Sequence, residues 1–135
     1  MSAFIFTKAI IEVSPIPVFN DGKMSRDFTY IDDIIDGIER VIDINDSHKV
    51  RSMQHQVYNI GNNNRVELMD YIEALETSLG KKAEKELLPL QPGDVLDTYA
   101  DVDDLVEQFG YKPNMSVKQG VENFAVWYQE YNNLK

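Results

Sequence analysis

The chain has 135 residues and a formal net charge of −10, from 23 acidic and 13 basic side chains, and it contains no cysteine. Without a basic run, that balance excludes a general role in gripping nucleic-acid backbones, and the lack of thiols excludes disulfides and thiolate metal sites. A hydrophobic content of 43% and a charged content of 27% suit one soluble, core-forming domain spanning residues 1–135.

The first element expected is a mostly buried helix over 3–13, built on Phe4, Ile5, Phe6, Ala9, Ile10 and Val13 and stopped by Ser14-Pro15. A buried-type helix so near residue 1 points to further chain upstream. Ile16-Pro17-Val18-Phe19 reads as a short strand (16–19), with Pro17 confining it to an edge or a strand start. Asn20-Asp21-Gly22 is a turn, and 25–29 is extended. Over 31–43, Ile31, Ile34, Ile35, Ile38, Val41 and Ile42 fall on one helical face, with Asp32 and Asp33 compensating the dipole in the first turn. Residues 44–54 are polar and unpatterned.

Val57-Tyr58-Asn59-Ile60 is expected as a buried-type strand (57–60) ending at Gly61. Asn64 and Glu67 have the spacing of a capping box before a helix over 66–79, with Gly80 as its stop. The stretch Leu87-Leu88-Pro89-Leu90-Gln91-Pro92-Gly93-Asp94 is too rich in proline and glycine for regular structure. Two more helices follow, over 102–109 with Asp101 as a cap and over 117–131 with Ser116 and Gln119 as a capping box. Together these elements describe a small mixed α+β lobe.

Few residues offer chemistry. No GxGxxG, GxxGxxG or Walker loop is present, and Gly61-Asn62-Asn63-Asn64 has the composition of a turn. His48 and His55 lie in or beside a polar loop without ligand spacing, and the adjacent Asp32 and Asp33 point about 100° apart on a helix, a poor acid–base pair. Arg26 stands between a strand and a helix start, where a guanidinium presents a fork of donors to a phosphate or makes an ordinary ion pair. Asp94, after the rigid Gln91-Pro92-Gly93 turn, either caps that turn or accepts the hydroxyls of a ribose.

The run Val18-Phe19-Asn20-Asp21-Gly22-Lys23-Met24-Ser25-Arg26-Asp27-Phe28-Thr29-Tyr30-Ile31-Asp32-Asp33 resembles the extended short-chain dehydrogenase/reductase family. Tyr58-Asn59-Ile60-Gly61-Asn62, Leu68-Met69-Asp70-Tyr71-Ile72-Glu73 and Gln91-Pro92-Gly93-Asp94-Val95 follow in that family's order and narrow the likeness to its UDP-glucuronate 4-epimerase group. The resemblance covers essentially the whole chain. It implies the C-terminal, UDP-sugar-binding portion of a Rossmann-type enzyme without its NAD-binding half.

Carried over by position, the resemblance assigns Arg26 to the nucleotide diphosphate, Pro17 and Phe19 to the uracil ring, and Asp94 to the ribose. Gln91 stands where relatives place an arginine for the phosphates, and Thr98 matches a position lining the hexose pocket. The NAD-binding loop and the catalytic Tyr-xxx-Lys pair are implied for the other half, so this chain is expected to hold no cofactor and no catalytic residue. Alone it should bind UDP-sugar weakly, catalyse nothing, and self-associate through apolar surface meant for the N-terminal half. Alternatives are a portion of a related sugar-nucleotide dehydratase or decarboxylase, and a free-standing binding module. The apolar stretches are shorter than the roughly 20 residues that span a bilayer, and no basic n-region precedes Phe4, so a cytoplasmic protein is expected.

Overall fold

The computed structural model describes residues 2–45 and 56–134. The polar loop expected over 44–54, and with it His48 and His55, falls largely or wholly outside the described residues. The elements in chain order are α1 (Ser2–Glu12), β1 (Ile16–Phe19), a single 3-10 turn (Asn20–Gly22), β2 (Ser25–Asp27), α2 (Ile31–Asn45), β3 (Arg65–Glu67), α3 (Leu68–Leu79), β4 (Lys85–Leu88), α4 (Asp103–Phe109) and α5 (Val117–Tyr131). They gather into two compact units: one of residues up to Arg26, Val66–Asp97 and Ser116 onward, the other of Asp27–Arg65 and Thr98–Met115.

In the first unit, β1 and β4 pair in parallel with Ile16 opposite Lys85 and Phe19 opposite Leu88. A parallel pair needs a long crossover, and α3 lies in it. Ile16 and Val18 point inward, joined in the core by Phe6 and Ile10 from α1, Ile72 and Leu75 from α3, and Val121 and Ala125 from α5. Pro17, the alternate residue, stays half-buried. Helix α1 is less buried than its composition suggests: Phe6, Thr7 and Ile10 are inside, whereas Phe4 and Ile5 are exposed. The helix ends as expected, but Val13 is driven to φ 56, a strained region for a β-branched residue, because the chain must leave the helix before Pro15.

The second unit has a small core of Val102, Leu105, Phe109 and Tyr111, against which Val41, Tyr58, Ile60 and Ala100 pack. The Tyr111 hydroxyl donates to the Gly61 carbonyl at 2.9 Å. Burial, with the negative charges of Asp33, Asp36 and Asp27, pushes that phenol up to about 12.

Three expectations change. Residues 57–60 form no strand ladder among the described residues; Tyr58 and Ile60 serve instead as packing side chains. Residues 65–67 form a strand beside β2, so α3 starts at Leu68, whose amide donates to the Met24 carbonyl at 2.8 Å in place of an Asn64 cap. Strand β4 was not expected, since its Lys-Glu-Leu-Leu sequence has no strand signature without β1 beside it. The Ser116 cap holds: its hydroxyl accepts from the Gln119 amide at 3.2 Å.

The least exposed ion pair ties α3 to β4. Glu76 is buried, and its carboxylate accepts from Lys82 at 2.7 Å, from the Ala83 amide at 3.0 Å and from Lys85. Burial alone would raise its pKa, but these donors outweigh it and hold the group down at about 2, against an ordinary 4.5. A carboxylate whose folded-state pKa is depressed stabilises the fold fully above its unfolded pKa and loses that contribution as pH falls through the folded value. Glu76→Gln is therefore expected to cost about 3 kcal/mol at neutral pH. Urea melts from neutral pH down to the folded pKa check this, and the variant's stability should fall less steeply with acid.

Candidate functional site

Strand β2 carries the residues that organise the Pro-Gly segment. The Ser25 amide donates to the Leu96 carbonyl at 3.0 Å and its hydroxyl to Asp97 Oδ1 at 2.5 Å, laying 96–97 alongside the strand. Arg26 then spends three of its four hydrogen bonds on the same segment and the fourth on its neighbour Ser25. Nη1 donates to the carbonyls of Ser25 (2.8 Å) and Leu96 (2.9 Å), and Nη2 to the Val95 carbonyl (2.8 Å) and Asp94 Oδ1 (3.2 Å). Asp94 Oδ1 also accepts the Val95 amide at 3.0 Å, and the Asp94 amide donates to the Gln91 carbonyl at 3.1 Å across a turn in which Gly93 takes φ 84. Ion pairing for Arg26 and turn capping for Asp94 are thus both realised.

Among the expected binding residues, the structure brings Arg26 and Asp94 into direct contact although 68 positions separate them. Pro17 and Phe19 sit half-buried on β1, and Gln91 is exposed on the turn that Asp94 closes. Thr98 belongs to the other unit, where its hydroxyl accepts the Asp27 amide at 3.1 Å. Asp32 is exposed and Asp33 buried, its carboxylate accepting the amides of Asn114 and Met115 at 3.1 and 3.2 Å. They are not a catalytic pair.

Asp27 escaped the sequence reading. Its carboxylate accepts three backbone amides, those of Asn62 (3.1 Å), Asn63 (3.1 Å) and Ala100 (3.0 Å). The approach is close enough that a Cβ on Gly61 would lie 2.2 Å from the Ala100 Cβ, so only glycine fits there. The Gly61-Asn62-Asn63 turn is thereby an acid-held structural turn. The one available signal was an aspartate directly following Arg26.

A Tyr-xxx-Lys spacing does occur in the chain, once, at Tyr131-Asn132-Asn133-Leu134-Lys135. Tyr131 closes α5, exposed and stacked on Trp127 at 5.2 Å between ring centroids, and Lys135 lies outside the described residues. A stacked ring at a helix end has the setting of surface packing, not of a proton-transfer base.

Comparison with known proteins supplies the family. The family model described as GDP-mannose 4,6-dehydratase matches residues 5–124, a stretch that ends before Tyr131. The chain belongs to this family. Relatives include an uncharacterized 37.6 kDa protein of Escherichia coli O111:H-, 49% identical over 97% of this chain and 42% of its own length. Another is a probable UDP-glucuronate 4-epimerase of Rhizobium meliloti, 37% identical over 96% of this chain and 42% of its own length. Among solved structures, the UDP-glucuronic acid 4-epimerase of Bacillus cereus, in complex with UDP-glucuronic acid and NAD, superposes with a TM-score of 0.84. It is 30% identical, and the match covers 97% of this chain and 40% of that one. The fold is that of a C-terminal portion of an epimerase-type short-chain dehydrogenase/reductase, and the chain spans about two-fifths of the length of these relatives.

Asp27 carries a testable load. Asp27→Ala leaves three amides without their acceptor and is expected to cost about 3 kcal/mol in urea unfolding, with Asp27→Asn costing about half as much because one oxygen still accepts. Equal losses in the two variants would show that the carboxylate's acceptor geometry is not what matters.

Proposed function

We propose that the chain is the nucleotide-sugar-binding portion of a UDP-glucuronate-type 4-epimerase, inert until joined with an NAD-binding portion. The observation that carries this reading is the Arg26–Asp94 pair: two family-matched residues distant in sequence and adjacent in space. In this reading the diphosphate replaces Asp94 at Nη2 of Arg26. The exchange is favourable because a diphosphate offers several charged oxygens to one planar fork. Asp94, released, accepts the ribose hydroxyls. Pro17 and Phe19 lie against uracil, Gln91 donates to a phosphate oxygen without adding charge, and Thr98 is assigned to the hexose by its family position.

Epimerisation at the sugar 4-position would need NAD to accept a hydride and a base to take the hydroxyl proton, held together in one site. Both are assigned to the portion without a counterpart here. The epimerase relatives favour 4-epimerisation over the dehydration named in the family description. The sequence features also fit a cytoplasmic protein, and no helix among the described residues is long and apolar enough to cross a membrane.

Titration with UDP-glucuronic acid, followed by amide chemical shifts, tests the site. Weak binding is expected, since half of the ligand's surroundings are absent and association still costs translational freedom. Shifts should map to β2 and residues 91–97. Arg26→Ala should abolish them and Arg26→Lys weaken them, because an ammonium cannot present the same fork. Unchanged binding by Arg26→Ala would remove the basis of the assignment. In isolation the chain should also self-associate weakly, and more so as salt screens its net charge of −10. Light scattering at increasing salt reads this out.

A further inference from the structure

The segment that carries Asp94 has little of its own to hold it. Residues 91–97 are all exposed, Val95 and Leu96 at 53% and 49%, so side-chain burial does little to fix their path. Polar ties to β2 must supply what packing does not. A one-residue parallel bridge joins Ser25 to Asp97, and the Ser25 amide donates to the Leu96 carbonyl at 3.0 Å. Ser25 itself is only 3% exposed, and its hydroxyl donates to Asp97 Oδ1 at 2.5 Å. A hydroxyl given to a carboxylate is a charge-assisted bond, one of the stronger kind.

The order of residues along the segment gives this bond its place. Asp94, Val95, Leu96 and Asp97 are consecutive, and each is bonded to Ser25 or Arg26. The two segment carbonyls that orient the Arg26 fork, those of Val95 and Leu96, lie between the two carboxylates. On the upstream side the tie is Asp94, which in the proposed function yields Nη2 to a diphosphate. On the downstream side the tie is Asp97, and it does not involve Arg26. Once Asp94 lets go, the Ser25–Asp97 bond is, among the described residues, the remaining side-chain tie that Arg26 does not itself supply. It keeps the two carbonyls, and with them the guanidinium, where they stand. A side chain that must be ordered on binding costs affinity that a pre-ordered one does not.

We infer that Asp97, acting through the Ser25 hydroxyl, is a positioning residue that keeps the Arg26 fork aimed while Asp94 gives way to a nucleoside diphosphate. The inference rests on the proposed function for its anion, and it adds a residue that itself touches no part of the ligand. Asp97 serves as an acceptor, not as a charge, because a second carboxylate near the site opposes an anion. An amide oxygen at the same position accepts the same hydroxyl without that repulsion. Asparagine is therefore the variant that separates the bond from the charge.

Titration of the whole chain with UDP-glucuronic acid, read from amide shifts, is the test. Asp97→Ala and Ser25→Ala should each weaken binding by about three- to tenfold, the range for ordering one more side chain on association. The double variant should be no weaker than either single one, since both remove the same bond. Asp97→Asn should bind at least as tightly as the unsubstituted chain. Without any ligand, the Arg26 side-chain N–H resonances should be sharp in the unsubstituted chain and in Asp97→Asn, and broadened in both alanine variants. Asp97 is exposed, so its variants decide should Ser25→Ala disturb the fold. Undiminished binding by Asp97→Ala overturns the inference, as does an Asp97→Asn as weak as the alanine variant or Arg26 resonances unaltered by Asp97→Ala. Unchanged binding by Arg26→Ala, or no binding by the unsubstituted chain, instead removes the proposed function and the inference with it.

Discussion

The guanidinium of Arg26 is the fixed point of the first unit. Residues 89–97 contain two prolines and a glycine and build no ladder of their own beyond the single bridge of Asp97 to Ser25. Three bonds from Arg26, to Asp94, Val95 and Leu96, hold this segment in place. Two of those bonds end on backbone carbonyls, so the hold does not depend on the Asp94 charge alone. Most of the energy of such a cluster lies in what its loss leaves behind, namely carbonyls stripped of a charged donor. An anion that took the Asp94 place would leave the bonds to the Val95 and Leu96 carbonyls standing, and the segment would keep its shape while one side chain swung free. That separation of scaffold from exchangeable ligand suits a binding residue better than a purely structural one.

The second unit relies on the same device with the sign reversed. Asp27 and Asp33 are acceptors to which backbone amides converge, three on one and two on the other. A small core of four buried side chains cannot by itself fix the loops around it, and charge-assisted bonds to backbone define them at little cost in volume. Using Asp33 in this way sets how α2 is rotated. With an aspartate and a glycine turned inward, Ile31, Ile35, Ile38 and Ile42 are left exposed while Ile34 is half-buried.

Local signals were legible in the sequence where they were self-sufficient. Helix α5 and its Ser116 cap, the stop of α3 at Gly80, the Asn20-Asp21-Gly22 turn and the break at Pro15 each follow from chemistry within a few residues. What failed to show needed a distant partner. Strand β4 exists because β1 lies beside it, β3 because β2 does, and the 57–60 segment packs side chains where a strand was expected. The α2 periodicity was read rightly as one apolar face, but periodicity does not say which way a face points. Only the amides of Asn114 and Met115 on Asp33 decide that. At the site, the proximity of Arg26 to Asp94 followed from family order, whereas the three-amide clamp of Asp27 had no signature beyond its place in the chain.

The net charge of −10 does not describe the surroundings of Arg26. Screening confines exposed charges to roughly 8–10 Å at physiological salt, so a total of 23 acidic residues says little about the charge at any one position. The two carboxylates bonded to the Ser25 and Arg26 side chains are committed there: Asp94 to Arg26 and Asp97 to the Ser25 hydroxyl. What β2 presents there is a guanidinium tied to backbone carbonyls. Overall charge and site charge answer to different constraints here, the first to solubility and partner choice, the second to a single fork of donors.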